Sequence, residues 1–171
     1  MKILRLIPIL LVTFGILPLT NNSAFANDVD PNSYKVLNIN NNISSLNVQD
    51  YLKKGDSAIN NGDFDAAKES YDKARNLAKQ LSSFYRDLNS SFRGLDARIP
   101  KEMDKKGRKS IELWAESNSR LAAFYNRQKQ SEVAVPLLVE IIRLMGPSSP
   151  QGKEAYKILI EIGFVETPFN G

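Results

Sequence analysis

The sequence predicts an all-α fold of about five helices, arranged as helical hairpins around a long antiparallel central pair. Three observations carry this. Apolar residues recur at alternating spacings of three and four through Phe64, Ala67, Tyr71, Ala74, Ala78, Leu81, Tyr85, Leu88, Phe92, Leu95 and Ile99, the period of one helical face. Helix breakers stand at intervals, at Asn61-Gly62-Asp63, Gly146-Pro147 and Ser149-Pro150. No stretch alternates apolar and polar residues long enough to read as a confident strand.

Composition bounds the chemistry. The chain has 171 residues, enough for one domain, with 42% hydrophobic and 25% charged residues, ordinary for a globular protein. It has no cysteine and no histidine, which removes disulfides, thiolate nucleophiles, imidazole bases and the usual zinc sites. No glycine-rich phosphate loop and no metal-spaced carboxylate cluster is present. The expectation is no cofactor, no metal and no enzyme.

Residues 1–26 read as a signal peptide. Lys2 and Arg5 precede an uncharged run from Leu6 to Leu19, and Ala24 and Ala26 supply the small residues that a signal peptidase accepts, so cleavage is expected between Ala26 and Asn27. The run is 14 residues long and holds Pro8 and Pro18, short of the roughly 20 residues that span a bilayer. The chain that follows carries 21 basic and 19 acidic residues, a balance too mild for a nucleic-acid protein. The expected address is the periplasm or an equivalent exported compartment.

Residues 27–46 are rich in asparagine and read as a flexible tether, with Val36-Leu37-Asn38-Ile39 the one segment suited to a short strand or to docking on the domain. The helical domain is expected over 47–165. Asn47 is the expected first cap, with Tyr51, Leu52, Gly55, Ala58 and Ile59 following. Asp63 or Asp65 caps the second helix, which should run about 30 residues and end between Arg93 and Arg98, with Pro100 holding Ile99 out of helical geometry. The third helix reads from about Lys101 to Arg127, with a seam of Met103, Gly107, Ile111, Trp114, Asn118, Leu121 and Tyr125. Ser131 is the expected cap of a fourth helix ending near Met145, with Pro136 late in its first turn, which predicts either a distorted start or a cap one residue later. Ser149-Pro150, a cap followed by proline at the first helical position, opens a fifth helix that Gly163 ends. Residues 166–171 are the C-terminal tail.

The pattern Tyr51…Gly55…Ala58…Asn61-Gly62-Asp63-Phe64…Ala67…Tyr71…Ala74 resembles a tetratricopeptide repeat, a 34-residue helix–turn–helix unit in which small residues allow close approach and large ones fill the gaps. The first helix departs from the family at Lys54 and Ala58, where leucine and tyrosine are usual. A second match runs Leu121-Ala122…Tyr125…Ala134…Leu138…Ile141…Pro147, with Ala134 lying 67 residues after Ala67. Residues 82–114 have the length of a degenerate repeat without its signature. The Glu112-Leu113-Trp114-Ala115-Glu116 stretch and the helices after it are also similar to exported repeat proteins of cyanobacteria and of the plastid thylakoid lumen, which adds the lumen as an address.

The resemblance implies binding rather than catalysis. The first helices of such repeats line a concave face. Here that face would hold Gln49, Leu52, Asp56, Ile59 and Asn60 from the first match, and Glu116, Ser119, Ala123, Asn126 and Arg127 from the second. The lysine and asparagine with which some members grip C-terminal carboxylates are replaced by Leu52 and Asp56, so that clamp is absent. The implied partner is a peptide or helix of another protein.

Two other readings remain. A basic tip of Lys101, Lys105, Lys106, Arg108 and Lys109 suits a peripheral adaptor in weak contact with an anionic membrane. Glu116-Ser117 matches the Glu-Ser dipeptide of helical peptidoglycan-cleaving enzymes, whose later motifs are missing.

Overall fold

The computed structural model describes residues 42–169. They form five helices and no strand: α1 (Ser45–Asn60), α2 (Phe64–Phe92), α3 (Arg98–Arg127), α4 (Ser131–Met145) and α5 (Pro150–Glu161). The expected signal peptide, the strand suggested at 36–39 and most of the expected tether lie outside the described residues.

Each helix packs antiparallel on the next, and α1 also touches α3. Two core clusters result. Val48, Leu52, Ala67, Tyr71, Ala74, Ala78 and Leu81 of α1 and α2 close on Leu113 and Leu121 of α3. Ala115 and Ala122 of α3 close on Ala134, Leu138 and Ile141 of α4 and on Ala155 and Leu159 of α5. Tyr125 and Leu137 pack against both clusters and join them.

The same scheme of burial appears twice. Gly55, Ala67, Tyr71 and Ala74 are buried in α1–α2, and 67 residues later Ala122, Ala134, Leu138 and Ile141 are buried in α3–α4. α1 and α2 approach closely at Gly55, where a Cβ would sit 2.3 Å from the Tyr71 ring, so only the missing side chain lets the ring lie against α1.

Local sequence explains the helix ends and corrects several expectations. Ser44, not Asn47, caps α1, its hydroxyl accepting the Asn47 amide at 3.2 Å. Gly62, with φ of 75°, turns the chain, and Asp63 caps α2 by accepting the Ala66 amide at 3.0 Å. α2 ends at Phe92, just before the expected range, and Gly94 takes φ of 87° in the turn.

α3 starts at Arg98, three residues early, with Ile99 and Pro100 inside its first turn. The missing proline N–H is no loss there, because first-turn amides have no partner within the helix. Asp96 accepts the Arg98 amide at 2.8 Å instead of a cap side chain. Ser131 is the first residue of α4 rather than its cap; Gln130 holds the cap position without a side-chain bond, and Pro136 lies inside the helix. Ser149 caps α5 as expected, accepting the Gly152 amide at 2.9 Å, with Pro150 at the first position. The tail lies on α5: the Tyr156 hydroxyl donates to the Thr167 carbonyl at 2.7 Å, and the Phe169 ring meets Tyr156 edge-on.

The long apolar row of α2 does not stay buried. Phe64, Leu88 and Leu95 are exposed, and Asn89 takes the inward position beyond Tyr85. A strict seven-residue repeat drifts about 20° per heptad around a straight helix. The row therefore leaves the α3-facing line, and Asn89 bonds the Pro100 carbonyl and the Asp104 carboxylate across the hairpin, at 2.9 and 2.8 Å. Trp114, expected on the α3 seam, is half-buried, and Leu113 takes the core position.

Two glycines in helix interiors should respond oppositely to alanine. Gly55→Ala forces the Tyr71 ring to move, and overpacking of about 1–3 kcal/mol outweighs the helix-propensity gain of under about 1 kcal/mol. Gly107→Ala places its Cβ 3.7 Å from the Tyr85 Cβ, an ordinary contact, and should stabilise by about 0.5–1 kcal/mol. Urea denaturation of both variants checks the pair.

Candidate functional site

The residues that converge lie on the face shared by α1, α3 and α5. Its first element is a polar node at the α1–α3 crossing. The Arg120 guanidinium donates to both oxygens of Asp56, with Nε at 2.9 Å from Oδ1 and Nη2 at 3.2 Å from Oδ2, while Nη1 donates to Glu116 at 2.9 Å. The Tyr71 hydroxyl donates to Asp56 at 2.8 Å. Asp56 thus ties α1 to α2 and α3 together. Burial raises the Asp56 carboxyl, but hydrogen bonds from Arg120 and Tyr71 outweigh it and hold the group below its ordinary value. Burial pushes the Tyr71 phenol up, and its bond to Asp56 adds to the shift.

Two clefts flank this node. A cleft of about 300 Å³ between α1 and α3 is lined by Asp56, Ile59, Asn60, Ala123 and Arg127, with Tyr71, Arg120 and Phe124 at its walls. A second, of about 520 Å³, lies between α3 and α5. Ala115, Leu138, Ile141, Ala155 and Ile158 give it an apolar lining; Glu116, Ser119, Arg120 and Glu154 are among its polar residues. Arg120 lines both, so the clefts are neighbours on one face.

Seven of the ten residues expected on the binding face line these clefts. Three do not. Leu52 is 3% exposed and packs in the first core cluster, because it shares the inward stripe of Val48 and Gly55 at helical spacing. Gln49 is half-buried and lines neither cleft. Asn126 also lines neither, and its side-chain oxygen is buried without a hydrogen-bond partner.

Sequence reading missed Tyr71, Arg120, Phe124 and the α5 residues Glu154 and Ile158. One signal was available: Arg120, Ala123 and Arg127 share a helical face at spacings of three and four. Tyr71 was legible only as core, since its ring is buried while its hydroxyl reaches Asp56.

A second node lies across α2, α3 and α4. Arg75 donates to Asn118 at 2.7 Å and to Glu140 at 2.6 Å, and Asn118 donates to the same Glu140 oxygen at 2.9 Å. Burial raises the Glu140 carboxyl, while Arg75 and Asn118 more than offset that and keep it below its ordinary value. The Trp114 indole N–H beside it is buried without a hydrogen bond of good geometry, and the Lys79 ammonium lies 5.5 Å from its ring centre.

Glu116 and Ser117 diverge. Glu116 is exposed and paired with Arg120, whereas the Ser117 hydroxyl is buried and donates to the Leu113 carbonyl at 2.7 Å. The basic tip residues Lys101, Lys105, Lys106, Arg108 and Lys109 are all exposed on the first half of α3. Among the described residues, no group of three or more acidic side chains is placed to hold a metal ion, and no helix is long and apolar enough to cross a membrane.

Compared with known proteins, the chain matches no family model, no curated protein and no solved structure.

Acid should destabilise the protein through its two nodes. The folded pKa values of Asp56 and Glu140 are depressed, so the unfolded chain binds more protons in acid. Their stabilisation is complete above the ordinary carboxylate range of about 4 and is lost as pH falls through the lower folded values. Denaturation midpoints should be flat near neutrality and fall below about pH 4. Glu140→Gln should cost about 1–3 kcal/mol at neutral pH and make the acid fall shallower. An unchanged acid limb in that variant contradicts the assignment.

Proposed function

We propose that this chain is an exported, tetratricopeptide-like interaction protein whose α1–α3–α5 face binds a peptide or helix of a partner protein, in the manner of a scaffold or assembly factor. The observation that carries the reading is the pair of adjacent clefts sharing Arg120 on one face. Adjacent clefts suit a ligand that lays successive side chains across helices. The repeat relationship is supported by the twofold scheme of burial at Gly55, Ala67, Tyr71 and Ala74 and at Ala122, Ala134, Leu138 and Ile141. Binding also accounts for Glu116, whose charge is engaged by Arg120 rather than held ready for proton transfer.

The two clefts differ in charge. Arg127 in the first has no carboxylate partner among the described residues, and Glu154 in the second has no cationic one. A ligand with an acidic group over the α1–α3 cleft, an apolar side chain in the α3–α5 cleft and a basic group near Glu154 complements both.

A photo-crosslinking residue at Ala123 or Ser119 should capture the partner in the exported compartment, and the same probe at Arg143 on α4 should not. Ala123→Trp fills the first cleft from an exposed position and should weaken the captured complex at least about tenfold, one unit of 1.4 kcal/mol, with the melting temperature unchanged. Equal capture from Arg143, with unaltered binding by Ala123→Trp, overturns the proposal.

A further inference from the structure

We infer that the free end of the α2–α3 hairpin docks on an anionic lipid surface. The two core clusters stop at Leu81 on α2 and Leu113 on α3, and beyond them only Asn89, Met103 and Ser110 are buried among the described residues. Residues 82–110 therefore form a two-helix arm of about 18 Å, from a rise of 1.5 Å per residue.

The arm is thinly packed within and exposes large apolar side chains outside. Its inner seam holds Gly107 against Tyr85, the Ser110 hydroxyl bonded back to the Lys106 carbonyl, and the Asn89–Asp104 bond. Its outer surface carries Phe84 and Leu88, one turn apart on α2, and Leu95 in the connecting turn, which is 80% exposed. Apolar side chains scattered singly over a surface need no explanation. These three run along one projecting arm, from Phe84 near its base through Leu88 to Leu95 at its apex, and exposure is greatest at the apex.

The charges around them are one-sided. Residues 86–109 hold eight basic and four acidic side chains. Every acid is occupied: Asp87 pairs with Arg86, Asp96 with Arg98 and Glu102 with Lys106, while Asp104 accepts from the Asn89 amide. Lys101, Lys105 and Arg108 have no carboxylate partner among the described residues, and their spacings of four and three put them on one exposed strip of α3. Lys106 lies over the Tyr85 ring at 5.9 Å, so α3 presents a cation beside the face of α2 next to Phe84.

Leucine at the apex with unpaired cations along the shank follows the layering of a membrane interface, with apolar side chains at the acyl boundary and lysine and arginine among the headgroup phosphates. An acidic protein surface would satisfy the cations and leave the Leu95 apex without a partner. The inference does not rest on the cleft reading, which concerns another part of the molecule.

Co-sedimentation of the full chain with phosphatidylcholine vesicles, with and without phosphatidylglycerol, tests it. The apolar leader is common to all variants, so the comparison is between variants. Wild type should bind the anionic vesicles more tightly and be released by salt, as screening shortens the Debye length. Removing three cations in Lys101→Gln/Lys105→Gln/Arg108→Gln should weaken anionic binding roughly 100-fold, at about fivefold per cation. Leu95→Ser should weaken it while leaving the salt dependence unchanged, and Ala123→Trp should leave it intact. Circular dichroism and melting temperature report that each variant is folded. Equal binding to both vesicle types, a triple variant that binds like wild type, or wild-type binding to polyglutamate but not to anionic vesicles each overturns the inference.

Discussion

The contact between Gly55 and the Tyr71 ring is the constraint on which the rest of the first helix pair depends. A glycine in the middle of a helix costs stability relative to alanine. Here it lets the ring lie where a Cβ would stand 2.3 Å away. That seating puts the phenol oxygen 2.8 Å from Asp56, one residue further along α1. Asp56, held from one side by Tyr71, is held from the other by Arg120 of α3. The bond brings α1 onto α3 across the top of α2, and the α1–α3 cleft opens beside it. A packing requirement of one residue thus propagates through the hydrogen bonds that Asp56 accepts to the position of a whole helix.

The node of Arg75, Asn118 and Glu140 does the same work one helix further on, linking α4 to α2 across α3 through side chains. Ion pairs of this partly buried kind are weak evidence for net stability, since desolvation opposes the attraction. Their effect is on position: a guanidinium that must reach a carboxylate on a helix two removed admits few relative placements of those helices. Alanines at Ala67, Ala74, Ala78 and Ala134, all wholly buried, set how near the helices come, and the two nodes set which way each is turned.

The central pair is longer than its neighbours need, and this divides the molecule. Where α1 and α4 flank it, α2 and α3 bury large aliphatic side chains on more than one side. Where the flanking helices end, the pair has only itself to pack on, and Gly107, Ser110 and Asn89 enter its seam beside Tyr85 and Met103. Side chains that would have been core one turn earlier, Phe84 and Leu88, stand in solvent. The body and the arm consequently offer different chemistry: mixed-charge clefts with apolar walls in one, and an apolar end with surplus cations in the other.

The helices themselves are determined by the sequence, because period, caps and breakers are local. Gly62, Asp63, Gly94, Ser149-Pro150 and Gly163 act through their own backbone within a turn or so, and they stand where the helices change. Local reading failed at Asn47, where the equally able Ser44 takes the cap three residues earlier, and at Ser131, which enters the helix while Gln130 holds the cap position without a side-chain bond. It failed again at Leu88, where a regular apolar spacing continues past the point at which there is anything to pack against. Of the candidate site, Asp56, Ala123 and Arg127 were legible from their places in the repeat pattern. Tyr71 and Arg120 were not: they belong to it through contacts spanning 15 and 64 residues with Asp56, and Leu52 was lost from it because it packs under α1. The face that a helix turns outward is a property of its neighbours, and only the tertiary structure decides it.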